Sequence, residues 1–187
     1  MRKKTLYIVA GCNGAGKTTA SYTVLPEIWK CREFVNADEI AKGLSPFNPE
    51  SVAIEAGRLM LQRIEQLLKG DESFSIETTL ATRSYVKLVE RAQTAGFSVN
   101  LLFFWLSSPE AAISRVAQRV REGGHNIPTD TIIRRYHLGI KNFYRLFKDK
   151  VDYWMLVDNT TSPRTIVADS NNTYNSETYD KIIKYVK

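Results

Sequence analysis

The sequence predicts an α/β fold in which a mainly parallel sheet of five strands is flanked by helices. Two observations predict it: short β-prone apolar runs recur along the 187 residues, and amphipathic helical patterns lie between them. Strands that alternate with helices favour right-handed crossovers, and therefore a parallel sheet with helices on both faces. We expect three layers, with the ligand crevice beyond the carboxyl ends of the strands.

Five segments are the strand candidates, and each is short and bounded by polar residues, Gly or Pro. They are residues 6–10, 34–35, 74–76, 99–106 and 154–157. Polar residues that directly follow these segments should meet at one edge of the sheet. The candidate site residues are therefore sought there.

Amphipathic patterns predict four longer helices between the strands. The first should begin with Asn48 as its cap and Pro49 at the first helical position. The fourth should follow Thr129, whose hydroxyl suits a helix N-cap. The helices are expected at residues 49–68, 85–94, 109–120 and 133–147.

The chain after residue 159 is polar and rich in Thr, Asn and Ser. It is expected to hold one short strand at 165–168 and a last helix near Lys181. A chain of 187 residues is long enough for one core and too short for two. Residues 1–187 are therefore predicted to form a single domain, which the strand and helix at about 163–187 complete.

The composition is typical of a globular protein in water, with 43% apolar and 25% charged residues. No apolar run has the length that a bilayer needs, and the run behind the basic start at Met1 is too short for a signal peptide. Cys12 and Cys31 lack metal-ligand spacing and favour a reducing compartment. We expect a cytoplasmic protein with no membrane partner.

The strongest motif is the segment 11–18, GCNGAGKT, which matches G-x-x-x-x-G-K-[ST] between a predicted strand and a predicted helix. In such a P-loop, backbone N–H groups and the helix N-terminus bind phosphates. Lys17 should reach the β- and γ-phosphates, and the Thr18 hydroxyl should ligate Mg²⁺. Cys12 fills a variable position, and a redox role is not favoured for it. The predicted ATP-binding residues here are Gly11, Asn13, Gly14, Ala15, Gly16, Lys17, Thr18 and Thr19.

Asp38 follows the second strand and should face the γ-phosphate across the crevice. Its carboxylate could accept the proton of an acceptor hydroxyl, which is the chemistry of a small-molecule kinase. The structural alternative is that Asp38 caps the helix that begins at Glu39. The two roles are compatible, and catalysis is favoured.

Glu77 and the two threonines after it leave the third strand on the same side. Glu77 could hold Mg²⁺ through water or accept hydrogen bonds from the acceptor, and Thr78 and Thr79 suit polar ligand contacts. The structural alternative is that this strand end caps the helix starting near Arg83. A functional role is favoured for Glu77, and both the functional and the structural role stay open for the threonines.

Arginines cluster around a segment with Gly-Gly and Pro, EGGHNIP at 122–128. Such a segment at about 119–135 predicts a mobile helical lid, whose guanidinium groups could neutralise a transferring phosphoryl group. A solvated helix surface is the alternative for each arginine. His125 and His137 lack ligand-spaced partners, and we expect structural or solvent roles for both. The arginines are Arg115, Arg119, Arg121, Arg134 and Arg135.

Asn159 follows the last strand, where the loop often borders a nucleotide base. It could contact adenine, although Asn is also an ordinary turn former.

Together these segments resemble the zeta toxin family of P-loop kinases, over about residues 5–160. The resemblance rests on the P-loop, on VNADEIA at 35–41, on IETTL at 76–80, on RVREGGHNIP at 119–128, and on the segment from Trp154 through Asp158, Asn159 and Thr160. The chain is shorter than the best-known members and looks like a compact branch of the family.

The resemblance implies the P-loop kinase fold with strand order 2-3-1-4-5, and ATP-dependent phosphorylation of UDP-N-acetylglucosamine at a sugar hydroxyl. By that likeness Asp38 is the base, Glu77 and Thr79 contact the acceptor, and Lys17 acts with two lid arginines. The best matches are Arg119 and Arg135, with Arg121 and Arg134 as alternatives. Any inhibitory antitoxin is expected to be a separate protein.

Three rival functions stay open at this stage. The acceptor could instead be a nucleoside, a nucleotide or an antibiotic, which would leave the chemistry unchanged. The net charge of +6 is also compatible with a nucleic-acid-associated P-loop NTPase. Because no aromatic residues are interleaved with a basic stripe, we expect no nucleic-acid partner. The third rival function is a nucleotide-binding module without catalysis.

Overall fold

The structure of the protein is a computed structural model that describes residues 4–124 and 126–186. Its centre is one sheet of six strands in the order β2-β3-β1-β4-β5-β6. The strands are β1 (Thr5–Gly11), β2 (Glu33–Val35), β3 (Phe74–Thr78), β4 (Ser98–Trp105), β5 (Tyr153–Asp158) and β6 (Thr165–Asp169). The first five strands confirm the expected order 2-3-1-4-5 and all five predicted segments.

The prediction of five strands in the sheet was one strand short. The segment at 165–168 forms β6, which extends the sheet edge by pairing antiparallel with β5, with Asp158 opposite Thr165. The neighbouring pairs among β1 to β5 are all parallel. The link from Asp158 to Thr165 is too short for a crossover, and a short link can only join antiparallel neighbours.

Seven α-helices cover the two faces of the described sheet. They are α1 (Lys17–Thr23), α2 (Ala37–Leu44), α3 (Ala53–Leu68), α4 (Tyr85–Thr94), α5 (Pro109–Arg121), α6 (Thr129–Asn142) and α7 (Ser176–Lys184). π-helical turns at Val24–Ile28 and Phe143–Phe147 continue α1 and α6. Within residues 4–124 and 126–186, no helix combines the length and the apolar character that a bilayer crossing needs.

Two of the predicted helix starts were wrong in detail. Pro49 begins a 3-10 turn, Pro49–Val52, before α3, and the Asn48 side chain makes no capping hydrogen bond. Thr129 is the first residue of α6, with Pro128 in the cap position. Pro128 lacks a backbone N–H and has an extended ψ of 136°, so the helix cannot extend back through it.

The core lies on both faces of the sheet and is largely aromatic and branched aliphatic. Ile8, Phe74 and Phe103 are among the largest fully buried side chains. Burial of one such side chain contributes about 1.5–3 kcal/mol to folding. The strands are therefore a rigid base for the loops at their carboxyl ends.

Candidate active site

The loops that follow β1, β2 and β3 meet at a cavity of about 580 Å³. They meet because these three strands are neighbours in the sheet and run parallel, so that their carboxyl ends lie at one edge. Most of the sequence-predicted acceptor-side residues line it together with the P-loop lysine. Its polar lining residues include Asn13, Lys17, Asn36, Asp38, Glu77, Thr78, Thr79 and Arg135.

The P-loop has a backbone that only glycine fits at two points of close approach. Gly11 has φ 141°, and a Cβ there would lie 2.3 Å from the carbonyl oxygen of Phe104. Gly14 has φ 78°, and its Cβ would lie 2.8 Å from the carbonyl oxygen of Ala112. The loop is thus packed against β4 and α5, and α1 begins directly after it at Lys17.

Lys17 is buried at the start of α1 and turns back towards the loop. Its Nζ donates to the carbonyl oxygen of Cys12 at 3.0 Å and lies 3.6 Å from Oε1 of Glu77. The two side chains are only 7% and 9% exposed. The ammonium group is therefore held between the P-loop backbone at Cys12 and the Glu77 carboxylate.

The Glu77 carboxylate accepts hydrogen bonds from two other segments. The Thr18 hydroxyl lies 3.1 and 2.9 Å from its two carboxylate oxygens, and Nδ2 of Asn36 donates to Oε2 at 3.0 Å. The carboxylate faces the P-loop and does not cap the following helix. That helix, α4, begins at Tyr85 and has Ser84 in the cap position. A hydroxyl and a carboxylate side by side are hard oxygen ligands, and they fit the predicted Mg²⁺ position.

Asp38 lies in the first turn of α2, and the predicted capping role for it was wrong. Asn36 is the cap: its Oδ1 accepts a hydrogen bond from the Asp38 backbone N–H at 2.8 Å. The Asp38 side chain is exposed and lines the cavity. With Asn36 as its cap, the helix starts two residues earlier than expected, because Asn is as good a cap as Asp.

Among the predicted lid arginines, Arg135 of α6 is the one that reaches the cavity. Its Nη1 donates to Oδ1 of Asn13 at 3.1 Å. Burial lowers the pKa of Arg135 below its usual value, and the charge of Asp38 opposes this shift. Among the five arginines of the cluster, all of which are described, Arg135 alone lines this cavity.

The other arginines of the cluster lie elsewhere. Nη2 of Arg115 donates to the carbonyl oxygen of Thr160 at 2.8 Å, which ties α5 to the loop after β5. Arg119 is half-buried beside Gly124, whereas Arg121 and Arg134 are exposed. His125 lies outside the described residues. His137 is exposed and makes ring contacts with Tyr136 and Tyr185.

Asn159, which follows β5, forms a hydrogen bond with the backbone of the P-loop. Its Nδ2 donates to the carbonyl oxygen of Ala15 at 2.9 Å, and it lies against Gly16. The loop after β5 therefore holds the P-loop in place, and a contact of Asn159 with adenine stays a prediction.

The turn after β3 is shaped by residues that the sequence analysis missed. Leu80 has φ 58°, which is rare for a residue other than Gly, Asn or Asp. Its N–H is bonded to the Thr78 hydroxyl at 3.0 Å, and buried Asn142 donates to its carbonyl oxygen at 2.8 Å. The Thr78 hydroxyl thus accepts a hydrogen bond within its own turn, and both Thr78 and Thr79 line the cavity. The sequence signal for this contact was Asn142, a polar residue on the otherwise apolar face of α6.

Gly139 of α6 packs against the same turn, and its replacement gives a test. A Cβ at Gly139 would lie 2.6 Å from the carbonyl oxygen of Thr79, so Gly139→Ala must displace α6 or the turn. We expect the melting temperature to fall and the affinity for acceptor to fall with it, as overpacking costs about 1–3 kcal/mol. Gly43→Ala is the matched control, because a Cβ at Gly43 meets nothing within 4 Å. Equal melting temperatures for the two variants would contradict the close packing.

Cys12 is buried within the P-loop, at 4% exposure. Burial raises the pKa of its thiol to about 11, and the nearby Lys17 only partly opposes this. Because the thiolate is the reactive form, we expect iodoacetamide at pH 8 to modify native Cys12 far more slowly than the unfolded chain, as measured by peptide mass spectrometry. Equal rates in the two states would show that the thiol is accessible and ionised.

Comparison with known proteins identifies relatives in sequence and in fold. An uncharacterized protein of Haemophilus influenzae is 29% identical over 136 residues, which cover 73% of this chain and 94% of that protein. One chain of the complex of AvrRxo1-ORF1 and AvrRxo1-ORF2 superimposes on this chain. The TM-score is 0.80 for the structure solved with sulphate ions and 0.78 for the structure solved with ATP. The match has 18% identity and covers 96% of this chain, which spans only 63% of that one.

The PezAT toxin-antitoxin system of Streptococcus pneumoniae matches with a TM-score of 0.74 and 18% identity, over 99% of this chain and 79% of that one. At such identities these structures establish a shared fold, and a gluconokinase from Sinorhizobium meliloti shares it at a TM-score of 0.53. The zeta toxin family model matches residues 1–174. The chain belongs to the zeta toxin family.

Proposed function

We propose that this protein is an ATP- and Mg²⁺-dependent kinase that transfers the γ-phosphate to a hydroxyl group of a small molecule. The observation that carries the proposal is that Lys17 of the P-loop and Asp38 of α2 line one cavity. A phosphate-binding lysine and a carboxylate that accepts a proton are the two groups that phosphoryl transfer to an alcohol requires.

The reaction would proceed with each residue in one role. Asp38 takes the proton of the acceptor hydroxyl as its oxygen attacks the γ-phosphorus. The bond from the γ-phosphorus to the bridging oxygen breaks, and ADP leaves with that oxygen. Lys17 stabilises the negative charge that is spread over the transferring group and the leaving phosphate. The backbone N–H groups of the P-loop hold the remaining phosphate oxygens.

Thr18 and Glu77 are the residues that would hold Mg²⁺, directly for the hydroxyl and through water for the carboxylate. The ion would neutralise charge on the β- and γ-phosphates. Glu77 and Thr79 would also hydrogen-bond the acceptor, since both line the cavity beside Asp38.

Arg135 and Arg119 are proposed as the lid arginines, with Arg121 and Arg134 as alternatives. Arg135 has the stronger support, because its bond to Asn13 already brings the guanidinium group beside the P-loop. Guanidinium groups at this position would stabilise charge on the transferring phosphoryl group. Movement of the segment at about 119–135 would bring the others closer.

The favoured acceptor is a UDP-sugar such as UDP-N-acetylglucosamine. Membership of the zeta toxin family supports this choice. The cavity walls also support it, because they include the apolar side chains of Ile54 and Leu61 and the positively charged side chains of Arg58 and Lys87. An acceptor with a ring and an anionic group matches those walls.

An inhibitory partner, if the chain has one, is proposed to be a separate protein. PezAT, which shares the fold, is described as a chromosomal toxin-antitoxin system.

The test is to incubate the purified protein with ATP, Mg²⁺ and a panel of acceptors and to identify products by mass spectrometry. The panel contains UDP-N-acetylglucosamine, nucleosides, nucleotides, aminoglycosides and short oligonucleotides. We expect UDP-N-acetylglucosamine to gain the mass of one phosphate. A product from another small molecule would retain the kinase and replace its acceptor. ATP hydrolysis that only oligonucleotides stimulate, in a salt-sensitive manner, would favour the nucleic-acid-associated NTPase.

A further inference from the structure

Asn36 joins the two sides of the candidate active site through one buried side chain. It lies between β2 and α2 and is only 6% exposed. Its Oδ1 accepts from the Asp38 N–H at 2.8 Å, and its Nδ2 donates to Oε2 of Glu77 at 3.0 Å. If the Asn36 amide were flipped, its NH₂ group would face the Asp38 N–H and its oxygen would face the Glu77 carboxylate. Both contacts would be unfavourable, so the two hydrogen bonds fix the orientation of the amide.

Each of the two hydrogen bonds has a separate consequence. The bond to the Asp38 N–H caps α2 and so fixes where the helix begins. The start of the helix in turn sets the position of the Asp38 carboxylate. The bond to Glu77 holds a carboxylate that also accepts from Thr18 and lies near Lys17. The amide is neutral, so it can donate to Glu77 without adding charge beside Lys17.

We propose that Asn36 is a positioning residue for phosphoryl transfer, which sets Asp38 on the acceptor side and Glu77 on the phosphate side at a fixed separation. The inference rests on the proposed kinase function. Asn36 acts through these two carboxylates and need not touch either substrate. A shift of about 1 Å in a reacting group can cost a factor of about 100 in rate, which is why a rigid link between the two sides matters.

Three substitutions separate the two hydrogen bonds. Asn36→Ser retains a capping oxygen and loses the donor to Glu77. Asn36→Asp retains the cap and places a second carboxylate beside Glu77. Asn36→Ala loses both bonds. Asn175→Ala is the matched control, because Asn175 caps α7 in the same way, with its Oδ1 accepting from the Thr178 N–H at 3.0 Å.

The expected results differ between variants and controls. Asn36→Ser and Asn36→Ala should lower kcat by about 10–100-fold, with the KM for ATP changed by less than about threefold. Thermal melting should show that Asn36→Ser is folded and that Asn36→Ala loses at least as much melting temperature as Asn175→Ala, because it also loses the bond to Glu77. Asn175→Ala should retain the wild-type kcat.

Asn36→Asp supplies a readout that loss of a cap alone would not move. Two adjacent carboxylates resist ionising together, so the acidic limb of the kcat profile should move to higher pH by about one unit. The charged groups that line the same cavity as this position include Lys17 on α1, Asp38 on α2, Glu77 on β3 and Arg135 on α6. The basic limb should stay where it is in the wild-type protein.

The outcomes distinguish this inference from the proposed function. If the wild-type protein phosphorylates an acceptor and the three variants keep its kcat and pH profile, Asn36 has no positioning role and the kinase assignment stands. The inference is also overturned if Asn175→Ala loses as much kcat as the Asn36 variants, because the loss of a helix cap would then explain the effect. A wild-type protein that phosphorylates no acceptor overturns the proposed function and this inference together.

Discussion

Asp38→Asn should lower kcat for phosphate transfer by about 10²–10⁴-fold while ATP still binds. The amide has nearly the size of the carboxylate but cannot take the proton of the acceptor hydroxyl. Because Asp38 is exposed and is not the cap of α2, the substitution should leave the fold intact. The measurements are kcat with the identified acceptor, and the affinity for a non-hydrolysable ATP analogue by titration calorimetry.

Glu39→Gln is the matched control for Asp38→Asn. Glu39 is the next residue on α2, and its Oε1 pairs with Nζ of Lys42 at 2.7 Å on the surface. It should keep the wild-type kcat. Asp38 is not the base if Asp38→Asn and Glu39→Gln have the same rate. If ATP binding also disappears in Asp38→Asn, the carboxylate serves the nucleotide and not the acceptor.

Lys17→Met should lower kcat/KM by at least about 10²–10³-fold, because charge on the transferring phosphoryl group loses its buried cation. The Glu77 carboxylate, only 9% exposed, would also lose the ammonium group 3.6 Å away. An uncompensated buried charge is costly, so we expect the free energy of unfolding to fall by about 1–3 kcal/mol. Steady-state kinetics and urea unfolding are the two measurements.

Lys42→Met is the control for the loss of one positive charge. Lys42 lies on the surface of α2 with 47% of its side chain exposed, and surface pairs contribute about 0–1 kcal/mol. Its loss should change neither kinetics nor stability measurably. A Lys17→Met protein with normal kcat/KM would mean that the P-loop does not bind the phosphates that react.

The sheet and the P-loop were predictable from the sequence because their signals are local. Glycines at 11, 14 and 16 are needed by the backbone of the loop itself, and the strand and helix on either side of it carry their own apolar periodicity. β6 was predicted as a strand, but its antiparallel pairing with β5 at the edge of the sheet was missed. The short link to β5 would have indicated it.

The roles of single polar residues were less predictable, and Asp38 illustrates the reason. Two adjacent candidates, Asn36 and Asp38, can both cap a helix, and the local sequence does not decide between them. The decision came from Glu77 on the neighbouring strand, which accepts a hydrogen bond from the Asn36 amide and so orients it. Arg135 and Arg119 similarly match the same lid pattern, and only the packing of α6 beside Asn13 separated them.

Local sequence patterns were enough to predict the strand–loop–helix of the P-loop, the order of the elements and the set of acidic and basic side chains at the strand ends. These follow from short-range periodicity and from the backbone freedom of glycine. Tertiary structure alone decided which of those side chains meet, because Lys17, Asn36 and Glu77 come from three segments of the chain that the neighbouring strands β1, β2 and β3 bring to one edge. Hydrogen bonds between such segments depend on distances of a few tenths of an ångström, which sequence patterns do not encode.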